Sequence, residues 1–338
     1  MLLSVIAPCR NEAAHIGPFC ESVAAQQLPP GVELEVLIAD GRSDDGTRDR
    51  LDDWCMRDAR FRWLDNPDLI VSSGLNRCIA AARGEVLARL DLHSSYAPDY
   101  LGQCLAALQR SGADNVGGPW RAVGHTPMQS AIAAAFQSRW VVGGARSRDL
   151  DYEGEVDTVY LGCWPRASLE RFGGFDEQLV RNQDDEHNLR IRLQGGRIWQ
   201  SSAIRSTYTP RGSLRQLFRQ QFQYGYWRPF VMRKHGQPGS LRQLVPAAFV
   251  AAIALALLLL PWWRWPLAGL ALAYGGYLAT ATVLAALQAP RERSASVLLR
   301  LPPVIAAYQL GYGLGSWRGL LDLLRGRRVT GASAKMSR

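Results

Sequence analysis

Three short apolar runs, residues 2–7, 34–39 and 85–90, each stop at a polar group, and helix-like stretches separate them. Each run is rich in strand formers and too short for a helix, which reads as a strand buried on both faces. The first ends at Pro8, with Cys9, Arg10, Asn11 and Glu12 behind it. The second ends at Asp40 and the third at Asp91. Helical patterns over 13–27, about 48–58 and 74–83, with a further strand at 61–64, give a strand–helix alternation. That order predicts an α/β fold: a mixed, mainly parallel sheet with helices on both faces. Ligands of such sheets bind beyond the carboxyl ends of the strands. The polar groups after Ala7, Ala39 and Leu90 all fall there.

Further along, residues 98–111 read as a helix. The stretch 115–157 is Gly-rich and irregular, with one helical piece at 128–140. A short element at 168–172 leads into the turn Gly173-Gly174-Phe175-Asp176, then a charged helix at 183–194 and a strand at 197–200. Residues 214–234 form a long helical pattern that carries Gln, Tyr, Trp and Arg together. Asp184, Asp185 and Glu186 stand at the start of the charged helix, where acids also favour the helix dipole.

After Gln243 the composition changes. Residues 244–263 and 266–287 are almost free of charge, and each is close to the length that spans a bilayer. Arg264 separates them, among Trp262, Trp263 and Trp265, residues that favour the membrane interface. The pair reads as a helical hairpin. Arg205, Arg211, Arg215, Arg219, Arg228, Arg233, Lys234 and Arg242 precede it, and Arg291, Arg293 and Arg300 follow it. Basic flanks set those sides as cytoplasmic and favour anionic membrane lipids. Residues 301–324, with Pro302, Pro303, Gln309 and Arg318, read as an interfacial or re-entrant segment that keeps the closing Arg325, Arg327 and Arg328 inside. The expected organisation is a catalytic domain over 1–240, a membrane region over 241–328 and a basic tail over 329–338. The expected location is a bacterial inner (cell) membrane with the catalytic domain in the cytoplasm.

The net charge of +9 has no nucleic-acid motif beside it, so no nucleic acid is an expected partner. The six cysteines form no Cys-x-x-Cys pair, which argues against a zinc site and a disulfide framework. Residue types and order alone lead to a carboxylate-rich, strand-end site on a membrane-anchored α/β domain.

The segment Ser4-Val5-Ile6-Ala7-Pro8-Cys9-Arg10-Asn11-Glu12 resembles the opening of the family 2 glycosyltransferases. Asp40-Gly41-Arg42-Ser43-Asp44-Asp45-Gly46-Thr47 is similar to that family's second signature. The resemblance implies a GT-A fold and a nucleotide-sugar donor held by Pro8, Arg10, Asn11, Glu12, Asp40, Asn76 and Asp91. The family's strand-end Asp-x-Asp binds a divalent cation on the donor's diphosphate. Here the pattern is Asp91-Leu92-His93, a form that resembles the succinoglycan-biosynthesis glucosyltransferases. This implies Asp91 and His93 as metal ligands, with Mn2+ or Mg2+ as the cation. His93 alternatively only hydrogen-bonds phosphate or sugar.

Residues Gly173-Gly174-Phe175-Asp176-Glu177 and Arg181-Asn182-Gln183-Asp184-Asp185-Glu186 resemble the family's acceptor block. Alignment of Arg190 with the family's helix Arg makes Asp184 the catalytic base, with Asp185 one residue away. Arg219-Gln220-Gln221-Phe222-Gln223-Tyr224-Gly225-Tyr226-Trp227-Arg228 is similar to the Gln-x-x-Arg-Trp element of processive members, although Tyr226 stands where Arg would be. Gln223, Trp227 and Arg228 are thereby implied in holding the acceptor or its diphosphate; a membrane-proximal amphipathic helix is the other reading. The resemblance implies an inverting hexosyltransferase that uses a UDP-hexose such as UDP-glucose. Its acceptor would be a polyprenyl-diphosphate-linked saccharide, in exopolysaccharide or cell-surface glycan synthesis. The rival is a catalytically inactive membrane scaffold of the same fold.

Overall fold

The computed structural model describes residues 1–288 and 294–326. Arg291, Arg293, Arg327, Arg328 and the expected tail lie outside the described residues. The chain divides into two compact units, Met1–Arg121 with Asp149–Tyr208, and Ala122–Arg148 with Thr209–Arg338.

The first unit is built around β1 (Leu2–Cys9). It pairs in parallel with β2 (Glu33–Asp40) and β4 (Val86–Arg89), and β2 pairs in parallel with β3 (Phe61–Asp65). Alternation explains why the run is apolar throughout. Leu3, Val5 and Ala7 pack with Ile16 and Phe19 of α1 (Ala13–Ala24), whereas Ile6 joins the opposite core with Leu75 and Cys78 of α3 (Val71–Ala81). Register aligns the exits: Cys9 lies opposite Asp40, and Asp40 opposite Asp65. Three loops therefore open at one edge, including the one that leads into α2 (Thr47–Arg57).

Past β4 the chain makes β5 (Ser94–Tyr96), α4 (Tyr100–Ser111), β6 (Asn115–Gly118) and the short β7 (Arg121–Ala122). After α5 (Pro127–Gln137) it returns through β8 (Gly154–Glu155) and β9 (Tyr160–Pro165) to α6 (Arg166–Phe172), α7 (Gln183–Leu193), β10 (Ile198–Gln200) and β11 (Ser206–Tyr208). The main sheet runs β3-β2-β1-β4-β9-β6-β10-β8. Its centre holds an antiparallel strand, β9, between β4 and β6. The expected irregular stretch from 115 thus hides β6 and β8, and β9 follows it. These strands are short and carry Gly and Pro, residues depleted in strands.

The second unit is helical. It contains α5, α8 (Leu214–His235), α9 (Val245–Leu259), α10 (Trp265–Leu287) and α11 (Ser294–Leu324). Gly311, Gly315 and Gly319 recur every fourth residue on α11, and a Cβ at each would strike the backbone of Phe218, Phe222 or Tyr226. Gly225 makes the reciprocal approach to Tyr312. Absent side chains let the two helix backbones meet. In this compact unit α8 packs with α11. Residues 301–324 are part of one continuous 31-residue helix.

The expected hairpin helices are both present. The spans Leu241–Leu259 and Trp265–Leu287, of mean hydropathy 2.0 and 1.6, are long and apolar enough to cross a membrane. Leu258, Trp265, Leu272 and Leu287 are exposed on them, and Trp262 is exposed between them.

Candidate functional site

Two loops at the sheet edge are sewn together. The Asn11 amide donates to Ser43 Oγ (2.7 Å) and the Glu12 amide to Thr47 Oγ1 (2.7 Å). Asp44 N donates to Asn11 Oδ1, and Ala13 N to Asp45 Oδ2. Asn11 takes a left-handed backbone, φ 53°, which asparagine tolerates better than most residues. Pro8 is half-buried at the end of β1, and Arg10 is exposed beside Gly41.

Asp40 is wholly buried. Its carboxylate accepts from Arg48 Nε at 2.6 Å, from the Ser43 amide at 3.1 Å, and from the Ser43 hydroxyl. Arg48 continues to Asp65. A buried carboxylate needs such partners. Asp40 therefore shapes the loop from within.

The Asn76 amide nitrogen donates to the Phe175 carbonyl (2.8 Å) and to Glu177 Oε1 (2.7 Å), and its oxygen accepts from the Phe175 amide (2.8 Å). These bonds tie α3 to the 173–177 turn. Arg190 supports the same turn: it donates to the carbonyls of Phe172 and Gly174 and pairs with buried Glu186.

The end of β4 carries the chemistry. Asp91 is partly exposed and accepts from Arg89 at 3.2 and 3.3 Å. The Tyr96 phenol fixes the turn after it, accepting from the Asp91 amide and donating to the Asp91 carbonyl. Arg89 is buried, and its Nη1 has no hydrogen-bond partner among the described residues. Burial works against its charge, but Asp91 and then Asp184 outweigh that, and the net shift raises its pKa. One guanidinium is thus shared by the expected cation ligand and the expected base.

Asp184 lies in the first turn of α7, and its Oδ1 accepts from the Asp185 amide at 2.9 Å. Burial, then the Asp185 charge, raises its pKa; Arg89 pulls the other way without cancelling them. A carboxyl group whose pKa is raised near a cationic anchor suits proton transfer.

Asp91 already faces a guanidinium. His93 turns elsewhere: its Nε2 is 2.9 Å from Glu12 Oε1, and Glu12 Oε2 is 3.0 Å from His15 Nδ1. Sequence reasoning missed Arg89 and His15. The signal for His15 was its place three residues after Glu12 at a helix start, and none marked Arg89.

The remaining expected contacts lie in the second unit. Trp227 is buried among Tyr226 and Phe230, and buried Arg228 donates to the Tyr312 phenol at 2.9 Å. Gln223 is half-buried. The Arg228 bond joins α8 to α11, whereas the Trp227 ring contacts lie within α8. The exposed cations of α8 are Arg215, Arg219, Arg233 and Lys234.

The model of the family described as "Glycosyl transferase family 2" matches residues 4–164. The succinoglycan biosynthesis protein ExoA of Rhizobium meliloti (strain 1021) is 33% identical over 340 residues, covering 95% of this chain and 96% of that protein. A dolichyl N-acetyl-alpha-D-glucosaminyl phosphate 3-beta-D-2,3-diacetamido-2,3-dideoxy-beta-D-glucuronosyltransferase of Methanococcus voltae is 24% identical over 240 residues, 69% of this chain and 74% of that one. Among solved structures, the mannosyltransferase PcManGT from Pyrobaculum calidifontis, in complex with GDP-Man and Mn2+, shares the fold. Its TM-score is 0.60 at 19% identity, with 95% of this chain and 87% of that chain covered.

Proposed function

The chain belongs to glycosyl transferase family 2, and from that we propose that it moves a hexose from a UDP-sugar such as UDP-glucose, with inversion, onto a polyprenyl-diphosphate-linked saccharide at a membrane. The observation that carries this reading is Arg89, which joins Asp91 to the field around Asp184 at the carboxyl end of β4. In the proposed reaction Asp184 accepts the proton of the acceptor hydroxyl as its oxygen attacks the anomeric carbon. The bond from that carbon to the diphosphate breaks, and UDP leaves. Asp91 is the handle for a divalent cation, Mn2+ or Mg2+, which when bound offsets the charge of the departing diphosphate. The Arg89 Nη1, buried and without a hydrogen-bond partner among the described residues, would be free to hold a phosphate or sugar oxygen. The stitched loops of Asn11, Glu12, Asp40 and Ser43 would seat the nucleoside.

A lipid-linked acceptor is supported by the dolichyl-linked compound in the Methanococcus relative's name and by the two apolar helices. The test is a donor screen on the purified protein, read as nucleoside diphosphate released. UDP from UDP-glucose or another UDP-hexose, raised by lipid-linked saccharide and lost in chelator, is the expected result. No nucleoside diphosphate from any donor would overturn the reading and leave a scaffold.

The same proposal fixes a topology. Nucleotide sugars are cytoplasmic, so the β-strand loops face that compartment in a bacterial inner membrane. A reporter near Arg264 is expected to read as non-cytoplasmic, and one after Arg328 as cytoplasmic. A cytoplasmic signal at Arg264 would remove the hairpin; an external one after Arg328 would make α11 a third crossing.

A further inference from the structure

Glu12, His15 and His93 place one ligand-type atom each within 4.8 Å of one another, and among the described residues they are the one such group of three. The cluster joins two chain segments that run to adjacent strands. Glu12 and His15 sit at the start of α1, three residues apart on one face. His93 comes from the turn after β4, which the Tyr96 phenol fixes. Glu12 is buried, and its backbone is tied to Thr47. Each of its oxygens faces a different imidazole, at 3.0 and 2.9 Å, and the rings stand 5.0 Å apart.

A tetrahedral ion with ligand bonds of about 2.0–2.2 Å needs its donors roughly 3.3 Å apart. Each Glu12 oxygen is within a few tenths of that spacing from its own ring nitrogen, Oε2 from His15 Nδ1 and Oε1 from His93 Nε2, and one donor atom of each residue lies within 4.8 Å of the others. The donor set also selects the ion. Two imidazoles and one carboxylate suit Zn2+ and Co2+, whereas Mg2+ prefers oxygen. Both histidines are exposed, which leaves a solvent side for a fourth ligand.

We propose that Glu12, His15 and His93 form a binding site for a borderline divalent transition-metal ion, separate from the cation expected on Asp91. The proposal rests on this cluster alone and goes beyond the sugar-transfer reading. The bound ion would clasp the β1–α1 turn to the β4 turn, the two walls of the donor pocket in the first unit. His93 would belong to this clasp and not to the diphosphate.

The test uses the full chain, purified in detergent, stripped of metal and titrated with Co2+ alone. A saturable visible absorption band at one equivalent is expected, with displacement by Zn2+ and a higher melting temperature. His15→Ala and His93→Ala should each weaken binding by at least about 10-fold, an order reached even by loss of a residue that only supports a metal ligand. His15→Gln, which keeps a hydrogen-bonding group in place, should fail equally. Asp91→Asn should bind as the unmodified chain does. Absence of the band in the unmodified chain overturns the proposal. So does retention in a His15 variant, and so does loss in Asp91→Asn, which would assign the ion to the strand-end aspartate.

Discussion

Asp184→Asn is expected to lower turnover by about 10²-fold or more, the scale of general base catalysis, with donor affinity little changed. The amide keeps the shape of the side chain and its place in the first turn of α7, but it takes up no proton. Asp185→Asn should leave most of the turnover and move its pH dependence. The base works only when deprotonated, so activity is present above its pKa and falls as pH drops through it. Burial and Asp185 raise that pKa, so the acid limb should lie above that of an ordinary aspartate. Removal of Asp185 takes away one raising influence and should shift the limb to lower pH. Because the two carboxylates interact, the limb reports the pair. A large loss in Asp185→Asn with Asp184→Asn near normal would transfer the role by one residue.

Arg89→Met is expected to have the second large effect, on stability and on the same limb. Its guanidinium is the buried cation beside Asp91 and in the field of Asp184. Removal of one partner from a buried pair strands the other charges, at a cost of roughly 3 kcal/mol. Chemical denaturation of the purified protein measures it. With the lowering influence gone, the Asp184 pKa rises further, so the acid limb should move to higher pH, opposite to the shift in Asp185→Asn. Arg89→Lys keeps the charge and should recover the limb more fully than the bidentate geometry. An unchanged limb in Arg89→Met would remove Arg89 from the site's electrostatics.

The parts of this site that the sequence reveals are those fixed by local rules. The apolar runs that became β1, β2 and β4 declare themselves by strand formers and by where they stop. Their exits carry Glu12, Asp40 and Asp91, and register then aligns them. Non-local partnerships leave no such trace. Strand β9 is paired on both sides within the sheet, yet it is built from Tyr-Leu-Gly-Cys-Trp-Pro, and only its neighbours make it a strand. Arg89 reads as one more residue of a buried run until Asp91 and Asp184 surround it. Asn76 gives no sign in the sequence of its partner, a turn ninety-nine residues away. Trp227 and Arg228 resemble a binding element by order, whereas their burial against neighbouring aromatic groups comes from helix packing that a one-dimensional pattern does not encode.

The glycines of α11 set more than a close approach. Because Gly311, Gly315 and Gly319 meet the backbone of Phe218, Phe222 and Tyr226 at one-turn intervals, the two helices engage like a toothed rack. A slide of half a turn would drive side chains into main chain, and a slide of a full turn would leave one tooth empty. Rotation of α8 about its axis is blocked in the same way by Gly225 against Tyr312. The height of Arg215, Arg219 and Arg233 along this bundle is therefore a property of the fold, decided before any lipid is met. Whatever sets the depth of α11 sets the depth of those charges with it. The plane at which the chain presents positive charge would be written in three residues that have no side chain at all.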